Sequence, residues 1–287
     1  MSDRLIPFCI ALFLVSCGPK PTDTEPVRIL SQGTEIHYSS CGTGDTTLLF
    51  VHGWCIDGTY WTAQRDEFCQ TYRVVTMDLP GFGQSEKNRA AWTIEAYGED
   101  VRTLIRQLQL KNVVLVGHSM GGDVVLEAAQ NNPDVIALVG VDNFKEVGLI
   151  PDSQARAGID GFFQALRQSY HVTAPGFAAN SLFHPSTDSL VKNRVLGDIT
   201  RADSAIAIAS LESLFAYMPE ETQQLGKLTQ KLYLINSDAT PTHVPGLEAS
   251  GADFEVLGIP ATGHYPMNEK PALFNALLRQ VMGKISR

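Results

Sequence analysis

The sequence predicts an α/β fold built on a twisted, mostly parallel sheet with helices on both faces. Three observations carry this expectation. Short apolar segments rich in β-branched residues alternate with segments of helical periodicity, as parallel strands buried on both faces do. One such strand runs into Gly117 His118 Ser119 Met120 Gly121 and then directly into a helix. The alternation stops over residues 145–224, where only helical stretches occur, and resumes afterwards.

From the amino terminus, Arg4 precedes an apolar stretch at residues 5–15. It is too short to span a membrane as a mature helix and has the length of a signal-peptide core. It ends in Leu14 Val15 Ser16 Cys17, followed by Gly18. This resembles the bacterial lipobox, which implies a signal peptide over residues 1–16 and lipidation of Cys17 as the first mature residue. With no aspartate after Cys17, it also implies outer-membrane sorting in a bacterial envelope. Several acyl chains give stable attachment where one is marginal. The alternative is an ordinary cleaved signal with an incidental cysteine. Residues 17–26, polar and rich in Pro and Thr, read as a tether.

Residues 27–30 and 35–38 read as an edge hairpin around Gly33. Strands are expected at 47–51, 72–77, 112–116 and 135–141, and again at 231–235 and 254–259. Thr93 caps a helix whose apolar face is Tyr97, Val101, Leu104 and Leu108. Further helices follow at 119–130 and 271–282. The core is thus expected over 27–144 and 225–287. A helical cap over 145–224 would lie above the carboxyl ends of the strands, where ligands bind in such sheets. Its helical stretches are 159–166, 189–196 and 203–215, with loops at Ala174 Pro175 Gly176 and His184 Pro185 Ser186.

The 287 residues carry 22 Lys and Arg against 31 Asp and Glu, a net charge of −9. Such a surface argues against nucleic acid as a partner, because phosphate contacts need basic groups. Besides Cys9 and Cys17, the cysteines are Cys41, Cys55 and Cys69. In an oxidising compartment Cys55 and Cys69 are the favoured pair, leaving Cys41 odd. No His-x-x-x-His or Cys-x-x-Cys spacing occurs, so neither a metal nor a cofactor is expected.

The chemistry centres on Ser119. Gly-x-Ser-x-Gly between strand and helix places a serine hydroxyl at the top of a sheet, but it needs a base to take its proton. His264, in Gly263 His264 Tyr265 Pro266 after the last strand, is the candidate base and acid. Two aspartates end neighbouring strands and compete to orient it. Asp238, after Asn236 Ser237, fits the chain order Ser, Asp, His and is favoured; Asp142, after Val141, is the alternative. Donors for a developing oxyanion are expected from the backbone N–H groups of Met120, at the helix start, and Trp54, in the loop after residue 51. His52, Gly53, His118 and Tyr265 are candidate pocket residues. His52 reads as a structural or wall residue, and His118 as pointing into the pocket or packing behind the turn.

From Val27 onward the chain resembles the α/β-hydrolase superfamily. His52 Gly53 Trp54 is similar to its oxyanion loop, and Asp78 Leu79 Pro80 Gly81 Phe82 Gly83 Gln84 Ser85 to its Asp-x-x-Gly-x-Gly-x-Ser loop. Gly117–Gly121 is similar to its nucleophile elbow, and Gly263 His264 with Glu269 and Pro271 to its terminal histidine segment. The resemblance implies the α/β-hydrolase fold, with a helical cap inserted before the acid-bearing strand. It also implies a small-molecule acyl substrate, no cofactor, and cleavage of carboxylic esters through an acyl-enzyme, in the manner of an esterase or lipase. Carbon–carbon or lactone hydrolysis, lyase or cofactor-free haloperoxidase-like chemistry are alternatives on the same residues, as is a non-catalytic envelope binding protein. One departure stands out: the usual Gly-x-x-Asp-Pro after the acid strand appears as Asn236 Ser237 Asp238 Ala239 Thr240 Pro241.

Overall fold

The computed structural model describes residues 27–285. The expected signal peptide, Cys17 and the tether lie outside the described residues. Eight strands form one sheet: β1 (Val27–Ser31), β2 (Thr34–Cys41), β3 (Thr47–Val51), β4 (Arg73–Met77), β5 (Val113–His118), β6 (Val135–Val141), β7 (Lys231–Ser237) and β8 (Phe254–Ile259). Their spatial order is β1-β2-β4-β3-β5-β6-β7-β8. Only β1 with β2 and β2 with β4 pair antiparallel; the rest are parallel. Every residue of β3 and β5 is buried, as strands covered on both faces must be. The expected hairpin turns at Gln32 and Gly33, both at positive φ.

The flanking helices are α1 (Thr62–Phe68), α2 (Ile94–Gln107), α3 (Met120–Ala129), α8 (Val244–Ser250), α9 (Pro266–Glu269) and α10 (Pro271–Ile285). Thr93 caps α2 as expected, its hydroxyl accepting from the Ala96 N–H at 3.2 Å. Between β6 and β7 lie only helices: α4 (Ser153–Ser181), α5 (Ser189–Arg201), α6 (Ser204–Tyr217) and α7 (Glu221–Gly226), with a 3-10 turn before α7. Asp152, Asp188 and Asp203 cap the first three by accepting backbone N–H groups. The loop expected at Ala174–Gly176 is helix instead. The break comes at Ser169, with φ −153° and ψ 62°. Pro175 follows in the new segment, so its missing N–H frees a carbonyl near that segment's start. The loop at His184–Ser186 is present.

This cap is fastened to the core at the top of the sheet. α6 packs against α2 and α3, and the Trp54 indole donates to the Ala207 carbonyl at 2.7 Å. The Tyr170 hydroxyl donates to the Ile199 carbonyl at 3.0 Å and lies 3.3 Å from Cys55 Sγ. His264 N–H donates to the Leu182 carbonyl at 2.8 Å.

The expected Cys55–Cys69 pair is corrected: the disulfide joins Cys41 and Cys69, with Cα atoms 5.6 Å apart, and Cys55 is a buried free thiol. The topology explains it. α1 runs from the carboxyl end of β3 back to the amino end of β4, so Cys55 and Cys69 sit at opposite ends of the sheet. Cys41 pairs with Val74 at the amino end of β4, beside Cys69.

Candidate active site

Ser119 joins β5 to α3 with φ 51° and ψ −127°, a strained conformation that costs a non-glycine residue about 1–3 kcal/mol. Such strain persists only where the surroundings fix it. The Ser119 N–H donates to the Val141 carbonyl at 3.1 Å. Its carbonyl accepts from Gly122 N–H at 2.7 Å and from the Asn143 side-chain amide. The turn is possible because Gly117 and Gly121 touch: a Cβ on Gly117 would lie 2.2 Å from the Gly121 carbonyl oxygen. Gly53 lets the loop after β3 close over the turn, since its Cβ would fall 3.1 Å from Ser119 Cβ.

Ser119 and His264 line one cavity of about 410 Å³ between sheet and cap. Trp54, His118, Asp142 and Tyr265 share its wall, while Phe183, Leu211, Leu214, Phe215 and Met218 form its apolar cap side. His264 is held at its backbone from three directions. Leu182 accepts its N–H, its carbonyl accepts from His118 Nε2 at 2.6 Å, and the Glu269 carboxylate accepts the N–H groups of Gly263 and Tyr265.

The imidazole Nδ1 of His264 lies 2.7 Å from Oδ2 of Asp142. The structure therefore corrects the favoured expectation for Asp238. Asp238 is exposed past the end of β7, and its Oδ1 accepts the Ala261 N–H at 2.9 Å. Asp142 reaches His264 because its φ of 48° turns the chain sharply off β6, the strand beside β5. The cap thus follows the strand that carries the partner of His264 instead of preceding it. Asp142 is 7% exposed, and its Oδ1 accepts Ser237 N–H at 2.9 Å and pairs with the Lys145 ammonium. Burial acts to raise its pKa, but the hydrogen bond and charge of His264 and the charge of Lys145 outweigh it. They hold the carboxyl well below the ordinary range.

His118 and Tyr265 lie on the cavity wall; His52 and Gly53 do not. His52 is enclosed behind the loop. Its Nε2 accepts Leu79 N–H at 2.9 Å, so Nδ1 carries the proton and donates to the Gly53 carbonyl at 2.8 Å. His118 donates through Nε2, and burial beside His264 pushes its pKa down to about 3, so it is neutral. Trp54 lies on the wall, and Met120 opens α3, where an N–H has no carbonyl one turn back.

Four residues at this site carry no signal in the sequence. Asn143 braces Ser119; Lys145 braces Asp142. Asp123 and Glu221, 2% and 4% exposed, meet on the cavity wall. Burial raises both carboxyls, and like charges in contact favour one shared proton.

Structural alignment finds a thermophilic esterase from Thermogutta terrifontis similar to this chain. The TM-score is 0.77 at 26% identity, over 91% of this chain and 99% of that one. Est816, described as an N-acyl homoserine lactone degrading enzyme, shares the fold at a TM-score of 0.74 and 22% identity, over 88% of this chain and 99% of its own. By sequence the chain is 28% identical over 260 residues to the dihydrolipoyllysine-residue acetyltransferase component of the acetoin cleaving system of Cupriavidus necator, covering 88% of this chain and 67% of that protein. Residues 48–277 match the alpha/beta hydrolase family, a span that runs from the third strand to the last helix and includes the helical insertion. The chain belongs to that family.

Proposed function

We propose that this protein is a serine hydrolase that cleaves carboxylic esters through an acyl-enzyme on Ser119, with His264 as base and acid and Asp142 orienting it. The observation that carries the reading is the 2.7 Å contact of His264 Nδ1 with Asp142, on the cavity that Ser119 also lines. A carboxylate accepts only, so Nδ1 holds the proton and Nε2 is the basic atom. Ser119 Oγ attacks the ester carbonyl as Nε2 takes its proton, and the imidazolium then protonates the leaving alcohol. Water, deprotonated by the same Nε2, releases the acid and restores Ser119. The N–H groups of Trp54 and Met120 would receive the oxyanion. The apolar cap wall suits short to medium acyl chains, and the likeness to an esterase supports ester chemistry.

The lipobox-like Leu14–Cys17 supports a lipid-anchored location in the bacterial envelope. Among the described residues no helix is long and apolar enough to cross a membrane.

The test is a p-nitrophenyl ester series of increasing acyl length on wild type and Ser119→Ala, with fluorophosphonate labelling of Ser119. Turnover lost in the variant, with Ser119 labelled in wild type, supports the reading. No turnover of any ester despite clean labelling rejects ester hydrolysis, and lactone or carbon–carbon substrates then become the candidates.

A further inference from the structure

The proposed triad leaves one cationic side chain of the cavity over. Lys145 lies three residues past Asp142, with its side chain 11% exposed, and its ammonium pairs with Asp142 Oδ1 while donating to Ser237 Oγ at 2.8 Å. Asp142 thus has a cationic or ionisable partner on each oxygen: His264 on Oδ2 and Lys145 on Oδ1. A carboxylate can be held by neutral donors alone, and Ser237 N–H already supplies one. Burying an ammonium as well carries a desolvation cost.

We infer that Lys145 is a positioning residue that, through Asp142, sets the lower pH limit at which His264 works as a base. The inference rests on the triad reading above. Its ground is the charge balance around the imidazole. Asp142 touches His264 from the β6 end, and Asp123, Glu146 and Glu221 lie on the same cavity wall. Glu269 holds the histidine's own loop. His118, packed against the ring from β5, is neutral, and Tyr265 flanks it as a phenol. Every one of these carboxylates, when ionised, favours a protonated imidazole. Among the described residues lining the cavity, Lys145 is the one lysine or arginine. Its charge opposes the imidazolium directly and also neutralises part of the Asp142 carboxylate. Both effects extend the range of the neutral, basic imidazole toward lower pH.

The experiment compares kcat/KM against pH, between about pH 5 and 9, for wild type, Lys145→Met and Lys145→Arg, with rates of fluorophosphonate labelling measured alongside. Lys145→Met should move the acid limb upward by roughly 0.5–1 pH unit, the scale of one unit charge a few ångströms away in a partly solvated site. Its alkaline plateau should fall less than about tenfold, because Ser237 N–H still holds Asp142. Lys145→Arg should keep the acid limb of wild type. Where Lys145→Met melts below the assay temperature, Lys145→Gln, which retains a donor for Ser237, replaces it. Activity lost by one factor at every pH would mark Lys145 as a structural brace, and an unshifted profile would remove its role altogether; either result overturns the inference. Wild type that no fluorophosphonate labels at any pH overturns the triad reading instead.

Discussion

His264 Nδ1 sits 2.7 Å from Asp142 Oδ2, and Ser119 and Asp142 reach the same cavity from adjacent strands. Ser119 follows β5, and Asp142 follows β6, which pairs with it through His118 and Val141. The same register lets Ser119 N–H bond the Val141 carbonyl directly before Asp142. Ser119 and Asp142 are therefore fixed by one backbone ladder, while His264 is brought to Asp142 by the loop after β8.

That shared ladder makes the turn sensitive to its neighbours. In Gly53→Ala the new Cβ would lie 2.7 Å from His118 Nδ1 and 3.1 Å from Ser119 Cβ. The loop after β3 must back away, carrying Trp54 with it. A shift near 1 Å at a reacting site costs about 10²-fold in rate. We expect kcat to fall on that order with a melting temperature changed by only a few degrees, measured by ester turnover and thermal denaturation.

The covalent staple is predicted at Cys41–Cys69. Non-reducing peptide mapping should recover that linkage and find Cys55 free. Cys41→Ala should destabilise the fold by about 2–4 kcal/mol in denaturant titration, since the bond closes a long loop. Cys55→Ala should leave the Cys41–Cys69 peptide intact. A recovered Cys55–Cys69 peptide would refute this connectivity.

The Asp123–Glu221 contact predicts a pH dependence of stability. Both carboxyls are raised in the fold, Glu221 to about 10, so between its unfolded value and that point the native state holds the extra proton. Stability therefore falls as pH rises through this window. Glu221→Gln needs no shared proton and can still donate to Asp123. Its thermal stability should decline less than wild type between about pH 6 and 9. Parallel melting curves across that range would refute the shared proton.

Much of the fold was legible because its signals are local. Runs such as Val113–Leu115 and Val74–Val75 mark buried strands, the glycine spacing around Ser119 marks the strand-to-helix turn, and the gap in strands marks the cap. His264 could be found by following the last strand. The choice of aspartate could not: Asp142 and Asp238 both end strands, and what separates them is the positive φ at Asp142 and the direction it gives the carboxylate. The departure from Gly-x-x-Asp-Pro at 236–241 was the available hint. The disulfide was missed because placing Cys41 beside Cys69 requires knowing that β2 lies against β4. Lys145, Asn143 and Glu221 gave no warning, since their roles arise from contacts between separate elements.

Which aspartate serves His264 is decided most directly by kcat for Asp142→Asn beside Asp238→Asn, both confirmed folded by thermal denaturation. An asparagine at 142 can donate to Nδ1 and favours the wrong tautomer; in trypsin-like proteases the equivalent change lowers kcat about 10⁴-fold. We predict a loss of about 10³–10⁴-fold for Asp142→Asn and less than about tenfold for Asp238→Asn, whose exposed carboxylate accepts the Ala261 N–H. The reverse ranking would contradict the assignment of Asp142 and place Asp238 in the triad.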